Sequence, residues 1–136
     1  MLIAGSIDSS MLNRILIVDD DDDFLHFVAI MVKVHYPAVV VQLAHDGSDA
    51  LAIIAREPPA VVITDIAMPQ LDGNALCRMV QEKQGDHVKI IAMTANRWSI
   101  DAHFDAIVSK PFSIDALFNA IDQTLGNRQQ ESITRF

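Results

Sequence analysis

The sequence predicts an α/β domain in which five parallel strands form one sheet with helices on both of its faces. Two observations lead to this prediction. Short β-branched runs alternate with segments of helical periodicity, and 136 residues suffice for one hydrophobic core. Strands that alternate with helices are joined by right-handed crossovers, which builds a parallel, doubly wound sheet. Hydrophobic residues make up 51% of the chain, a content that excludes a disordered segment.

The elements are predicted in order along the chain. Five apolar runs are expected to be strands, at residues 14–19, 38–43, 60–64, 88–93 and 106–109. Four segments have helical patterns, at residues 24–34, 48–56, 74–83 and 114–125. Pro37 and Pro58 are expected to end the first two helices, and Gly126 the last one. The domain is therefore expected to span residues 14–126, between an N-terminal extension at 1–13 and a C-terminal tail at 127–136.

The negative charge of the chain is concentrated in one segment. The net charge is −8, and five of the 18 acidic residues form one block at residues 19–23, so the rest of the chain carries only −3. Such a local concentration indicates a cation site. The chain has no basic stripe and no apolar run long enough to cross a bilayer, so we expect a cytoplasmic protein that binds neither DNA nor membrane. Cys77 is the single cysteine, which excludes an internal disulfide.

Residues with useful chemistry stand where the predicted strands end. Asp19 and Asp20 end the first strand, Asp65 the third, Thr94 the fourth, and Lys110 follows the fifth. The carboxyl ends of parallel strands meet at one edge of the sheet, where such sheets bind ligands. Clustered carboxylates repel one another unless a cation lies between them, and an all-oxygen site suits Mg²⁺. A lysine and a hydroxyl would bind phosphoryl oxygens there, and an aspartate can attack phosphorus. The set predicts a phosphoryl-transfer site.

Each of these residues also has a structural interpretation. The acidic block would serve equally as the N-cap of the next helix, Thr94 as a cap, and Lys110 as an exposed loop lysine. An EF-hand is excluded, because Phe24 stands where its glycine belongs and Ile30 where its bidentate acid belongs. The five histidines share no metal-ligand spacing, and the chain has no Walker A or GxGxxG loop. The functional interpretation therefore depends on the set as a whole.

Five segments together resemble the receiver domain of response regulators in two-component signalling. They lie at residues 15–20, 44–51, 61–73, 90–95 and 108–112. The most specific part is Asp-x-x-Met-Pro-x-x-Asp-Gly from Asp65, followed in register by Lys110-Pro-Phe. The likeness covers about residues 14–125 and implies a flavodoxin-like fold.

The resemblance implies roles for the residues at the sheet edge. Asp65 matches the phosphate-accepting aspartate. Asp19 and Asp20 match the acidic pair that holds Mg²⁺, together with Asp65 and the backbone carbonyl of Ala67.

Two further residues match the family's pattern. Thr94 corresponds to the switch hydroxyl, which moves toward the phosphoryl group, and Lys110 to the lysine that pairs with a phosphoryl oxygen. By the same resemblance, the bond from Lys110 to Pro111 is expected to be cis.

The resemblance also implies a function. We expect a switch that receives a phosphoryl group from a sensor histidine kinase or a histidine phosphotransfer protein. It would signal through a downstream protein target rather than by direct DNA binding. It would be no enzyme, apart from catalysing its own phosphorylation and dephosphorylation.

The sequence departs from the family pattern after the fourth strand. Ile107 stands where the family usually has a tyrosine or phenylalanine that turns inward on activation. Only sixteen positions separate Thr94 from Lys110, fewer than the family pattern allows. The fourth helix is therefore expected to be short, at about residues 99–103, or missing.

Two other functions stay open from the sequence. A receiver fold locked in one state by this altered region would be a constitutive scaffold. A haloacid dehalogenase-type phosphohydrolase would instead use Asp19 as its nucleophile and Asp21 as its acid, and would leave Asp65 without a role.

Overall fold

A computed structural model describes residues 14–110 and 113–134, with side chains as far as residue 126. In chain order the elements are β1 (Arg14–Val18), α1 (Asp22–His35), β2 (Val40–Ala44), α2 (Gly47–Arg56), β3 (Val61–Asp65), α3 (Gly73–Gln84), β4 (Lys89–Thr94), β5 (Ala106–Ser109) and α4 (Ile114–Thr134). The described residues also include two single 3-10 turns, at Gly85–His87 and Arg97–Ser99.

The five strands form one parallel sheet in the order β2-β1-β3-β4-β5. This confirms the predicted fold class. From β1 the chain moves outward to β2 and then returns to β3 on the other side of β1. The strand order therefore reverses between β1 and β3, and a parallel sheet of this kind binds its ligands outside the carboxyl ends of those strands. Asp19 directly follows β1, and Asp65 is the last residue of β3.

The sheet separates two hydrophobic clusters, one on each face. Ile15 and Ile17 of β1 pack with α1 and α4, whereas Leu16 and Val18 pack with α2 and α3. This alternation follows from the two-residue period of a strand, and burial of both faces explains why the strands are continuous apolar runs.

Three of the helices begin in the same way. The side chains of Asp21, Asp46 and Asp72 accept backbone hydrogen bonds at the starts of α1, α2 and α3. An aspartate in this position satisfies amide groups that have no partner within the helix. The block at residues 19–23 therefore has two roles: Asp21 caps α1, and Asp19 and Asp20 lie at the sheet edge.

The predicted end of the last helix is wrong. Helix α4 passes through Gly126 and continues to Thr134, so most of the predicted tail is helical. A glycine commonly follows a helix end because it can take a positive φ, as Gly85 does after α3 with φ of 57°. Inside a helix a glycine costs only about 1 kcal/mol relative to alanine, which good helix formers nearby outweigh. The N-terminal extension at residues 1–13 lies outside the described residues, and the domain boundaries stay predictions.

The fourth helix of the expected fold is missing. Residues 95–105, all of them described, contain only the 3-10 turn Arg97–Ser99. Ala102 and Phe104 of this segment pack against the hydrophobic cluster beneath α2 and α3. The segment therefore contributes to the core although it is not helical. Among the described residues, no helix is long and apolar enough to cross a membrane.

Candidate functional site

The end of β1 places one buried and one exposed carboxylate at the sheet edge. Asp19 is 1% exposed, and its backbone amide donates to the carbonyl of Ala44 at 3.1 Å. Its Oδ1 accepts from the amide of Asp21 at 3.0 Å. Asp20, the next residue, is exposed. The strand pairing and the helix start therefore hold Asp19 in one position and leave Asp20 facing solvent.

Asp65 is held by the loop that follows β3. The amide of Ile66 donates to Asp65 Oδ1 at 2.8 Å, and the side chain is 15% exposed. The start of α3 comes very close to this loop, because the amide of Gly73 donates to the carbonyl of Ile66 at 2.9 Å. A Cβ atom at position 73 would lie 2.3 Å from the carbonyl oxygen of Asp65, so only glycine fits there.

Lys110 brings the two carboxylates together. Its Nζ lies 3.0 Å from Asp19 Oδ2 and 3.5 Å from Asp65 Oδ2. The same ammonium group lies 4.2 Å from the centre of the Phe24 ring, a cation–π contact. The backbone amide of Lys110 donates to the carbonyl of Thr94 at 2.7 Å, which extends the β4–β5 pairing to the lysine. An ion pair between residues 91 positions apart in sequence thus closes the site.

The site carries more negative than positive charge. Burial is the main cause that raises the pKa of Asp65, and repulsion from Asp19 raises it further, whereas Lys110 and the Ile66 amide lower it. Oxygens of Asp19, Asp20 and Asp65 all lie within 4.8 Å of one another. A cation would relieve this repulsion, and three carboxylates form the all-oxygen donor set that suits Mg²⁺. The residues therefore fit the predicted metal.

The remaining predicted ligand is less defined. Ala67 lies two residues after Asp65 in the β3–α3 loop and is exposed. Its carbonyl as a fourth protein ligand stays a prediction. Pro111 lies outside the described residues, so the expected cis bond also stays a prediction.

Thr94 ends β4 at the same edge, but its hydroxyl is engaged elsewhere. Its Oγ1 donates to the carbonyl of Asn96 at 3.0 Å, accepts from the Asn96 amide at 3.1 Å, and lies 3.3 Å from Ser99 Oγ. The hydroxyl is therefore held by the loop after β4. The structure brings Asp19, Asp20, Asp65 and Lys110 into one cluster, with Thr94 beside it.

Some residues that contact the site or the loop beside it were not identified from the sequence. Phe24 enters the sequence argument only where it excludes an EF-hand, because its contact with the Lys110 ammonium group joins residues far apart in sequence. Ser99 and its partner Asn74 on α3 give no signal at all, since their contact joins residues 25 positions apart. Ile107 lies in β5, and its carbonyl accepts from Arg97 Nη2 at 3.4 Å.

Comparison with known proteins gives a consistent result. A family model described as "Response regulator receiver domain" matches residues 15–122. The "Response regulator MprA" of Mycobacterium ulcerans (strain Agy99) is 34% identical over 110 residues, which cover 76% of this chain and 46% of that protein. The chain thus spans about half the length of the curated relatives it matches.

Solved structures show the same fold. A "response regulator receiver domain protein (CheY-like)" from Methanospirillum hungatei JF-1 has a TM-score of 0.79 and 27% identity, and the match covers 88% of this chain and 98% of that one. The chemotaxis response regulator CheY4 of Vibrio cholerae has a TM-score of 0.72 with 22% identity, covering 83% and 98%.

Proposed function

This chain belongs to the response regulator receiver domain family, and from that premise we propose that it is a phosphorylation-dependent switch with Asp65 as its phosphate acceptor. The observation that carries the proposal is the position of the Lys110 ammonium group, between a fully buried Asp19 and a partly exposed Asp65 at the carboxyl edge of the sheet. Of the two carboxylates beside Lys110, Asp65 is the more accessible to a phosphodonor.

The proposed reaction is phosphoryl transfer to a carboxylate oxygen of Asp65. The oxygen attacks the phosphorus of a phosphohistidine and forms the P–O bond of an acyl phosphate. The P–N bond breaks, its electron pair stays on the imidazole nitrogen, and that nitrogen takes up a proton. Lys110 would pair with a phosphoryl oxygen, and the hydroxyl of Thr94 would donate to another after leaving the Asn96 carbonyl.

Mg²⁺ held by Asp19, Asp20, Asp65 and the carbonyl of Ala67 would neutralise charge that develops on the phosphoryl oxygens. The cluster of three carboxylates with a single lysine supports this assignment.

Membership of the family implies partners that supply phosphoryl groups, namely histidine kinases or histidine phosphotransfer proteins. We propose such a donor for this chain, together with a cytoplasmic location and a downstream protein target. Receivers are phospho-accepting regulators and generally not enzymes. Autocatalysis at Asp65 is accordingly proposed only for its own phosphorylation and dephosphorylation.

The test is intact-mass measurement after incubation with acetyl phosphate, with and without Mg²⁺. We expect a single phosphoryl adduct that requires Mg²⁺ and is lost in Asp65→Asn. The matched control is Asp86→Asn, because Asp86 is exposed in the turn that precedes β4, at the opposite end of the sheet. The control variant should form the adduct as the wild type does.

Other outcomes would identify the alternatives. An adduct that persists in Asp65→Asn and maps to a peptide containing Asp19 would overturn the proposal in favour of a hydrolase-type nucleophile. A folded, Mg²⁺-binding protein that forms no adduct with acetyl phosphate or with a phosphohistidine donor would overturn it in favour of a constitutive scaffold.

A further inference from the structure

The segment that replaces the fourth helix is fastened to α3 by a buried amide. Asn74 lies in the first turn of α3 and is 4% exposed. Its Nδ2 donates to the carbonyl of Ser99 at 2.8 Å, and its Oδ1 accepts from the amide of Asp101 at 2.9 Å. Both ends of the carboxamide are thus satisfied by the backbone of one loop. An asparagine in this position bridges two backbone groups that an apolar side chain would leave without partners.

The same loop holds the hydroxyl of Thr94. Ser99 Oγ donates to the carbonyl of Asn96 at 2.6 Å and lies 3.3 Å from Thr94 Oγ1. Both hydroxyls thus donate to the carbonyl of Asn96, and polar contacts run from Asn74 on α3 through Ser99 and Asn96 to Thr94 at the end of β4. Any movement of the Thr94 hydroxyl away from the loop must break its contacts with Asn96 and Ser99.

The helix end of this series also lies beside the phosphate acceptor. Gly73 precedes Asn74 and packs directly against the backbone of Asp65 and Ile66. Asn74 thus stands between two segments that contact the site, the β3–α3 loop on one side and the β4–β5 segment on the other. The β5 position that an aromatic residue occupies in the family is Ile107 here, so a route from Thr94 through a turning ring is not available to this chain.

We propose that Asn74 is a positioning residue that fixes the resting place of the Thr94 hydroxyl through Ser99 and transmits its displacement to α3 and the Arg97–Ser99 turn. This inference rests on the proposed function. While Asn74 holds Ser99, the loop favours the unphosphorylated arrangement. Phosphorylation, which draws the Thr94 hydroxyl toward Asp65, must work against that hold. Removing the carboxamide lowers the cost of the displaced arrangement, so a ligand that selects this arrangement binds more tightly.

Trp98 provides a direct reporter of the loop. It is the only tryptophan of the chain, it is 95% exposed, and it lies in the turn that Ser99 closes. Its fluorescence, excited selectively, therefore reports on this turn. The probe is beryllofluoride with Mg²⁺, a non-covalent stand-in for the phosphoryl group on Asp65. In the wild type we expect a saturable change in Trp98 emission that Asp65→Asn abolishes.

The informative variants are Asn74→Ala and Ser99→Ala. Each should lower the half-saturating beryllofluoride concentration by about fivefold, the low end of couplings between sites, and reduce the amplitude of the Trp98 change. Ser99 is exposed, so its substitution leaves the fold intact even if Asn74→Ala destabilises it. Asn74→Asp keeps the acceptor for Asp101 but removes the donor to Ser99, and it should behave as Asn74→Ala does. Asn119→Ala, at an exposed position on α4, is the matched control and should resemble the wild type.

Two failures are distinguishable. In the first, Trp98 of the wild type responds to beryllofluoride, but Asn74→Ala and Ser99→Ala have the same half-saturating concentration and amplitude as the wild type, or bind the probe more weakly. That result overturns the inference and leaves the proposed function standing. If the wild type forms no Mg²⁺-dependent adduct, or if Asp65→Asn responds to beryllofluoride as the wild type does, the proposed function fails and the inference fails with it.

Discussion

Two neighbouring regions of this protein are held in position by different means. The carboxylate cluster of Asp19, Asp20 and Asp65 stands on strand ends, where parallel pairing of β1, β3 and their neighbours fixes the backbone. The segment at residues 95–105 follows β4 and has no regular structure beyond one 3-10 turn. Side chains of α3 hold it instead, through Asn74 and through Arg78, whose guanidinium contacts Asp101.

The two ways of holding the backbone have different consequences for the carboxylate cluster and for the segment at residues 95–105. A site built on paired strand ends tolerates sequence change elsewhere, because backbone hydrogen bonds position its side chains. A loop built on side-chain contacts is particular to this chain, because each contact needs its own residue. The residues proposed for phosphoryl transfer therefore match a family pattern, whereas the segment at residues 95–105 does not. We therefore expect substitutions at the carboxylate cluster to cost more stability than substitutions in the segment at residues 95–105.

The largest effect is expected at Gly73, where α3 meets the carboxylate cluster. Gly73→Ala should lower the free energy of unfolding by about 3 kcal/mol, because its Cβ would lie 2.3 Å from the carbonyl oxygen of Asp65 and the backbone must move. The variant should also lose Mg²⁺-dependent phosphorylation, since the displaced loop carries Asp65. Urea unfolding with intact-mass measurement checks both results.

Gly126→Ala is the matched control for that substitution. A Cβ atom at position 126 meets nothing within 4 Å, and the residue lies inside helix α4. Alanine should therefore stabilise the protein by about 0.5–1 kcal/mol. Equal losses at both glycines would contradict the close approach at Gly73.

The next effect concerns the ion pairs of the two regions. Lys110→Ala leaves Asp19 buried without its cation and should cost about 3 kcal/mol in Mg²⁺-free buffer, the low end for a broken buried pair because Lys110 is 21% exposed. Arg78→Ala breaks the exposed pair with Asp101 and should cost less than about 1 kcal/mol. Chemical denaturation with chelator present measures both.

Added Mg²⁺ sharpens this comparison. It should restore part of the stability of Lys110→Ala, because the metal ion then neutralises the same carboxylates in place of the lysine. It should leave the stability of Arg78→Ala unchanged relative to the wild type. A loss in Lys110→Ala no greater than that in Arg78→Ala would mean that the lysine does not stabilise the buried Asp19.

Sequence reasoning succeeds where structure follows from local pattern. The apolar run of β1 predicts a strand buried on both faces. Because Asp19 and Asp20 directly follow this run, the sequence alone places them at the sheet edge. The spacing of Thr94 and Lys110, compared with the family pattern that the sequence resembles, predicted a short or missing fourth helix, and residues 95–105 contain only a 3-10 turn. Lys110 itself reaches the site through the β5 pairing, which the parallel topology implies.

Sequence reasoning fails where two local preferences compete, and where the deciding contact joins residues far apart in sequence. Gly126 is of a residue type that often follows a helix end, but it lies within α4. Its neighbours are good helix formers and outweigh the small free-energy cost of a glycine inside a helix. The bridge from Asn74 to Ser99 and Asp101 leaves no trace in periodicity, since an asparagine in a first helical turn is typical of an exposed helix start. Only the packed structure reveals that this side chain is buried and serves another segment.

The smallest effect is the pH dependence of the carboxylate cluster, because opposing causes act on Asp65. The pKa of Asp65 is raised above its ordinary value of 3.8, mainly by burial and further by Asp19, while Lys110 lowers it. Between 3.8 and the raised value the folded protein binds more protons than the unfolded chain. The free energy of unfolding therefore falls as pH rises through this window. The stabilisation is complete below 3.8 and is lost above the raised pKa.

Asp65→Asn removes this titration while keeping the shape of the side chain. The free energy of unfolding of the variant, relative to that of the wild type, should rise with pH through the window and stay constant above it. Denaturation of both proteins from pH 3.5 to 7.5 measures this difference, with Asp86→Asn as the exposed control. A difference that does not change with pH would contradict the raised pKa of Asp65. Mg²⁺ added at neutral pH should narrow the difference in free energy of unfolding between the variant and the wild type. A cation between the carboxylates removes the same repulsion that the substitution removes. The loop that Asn74 holds should stay unchanged.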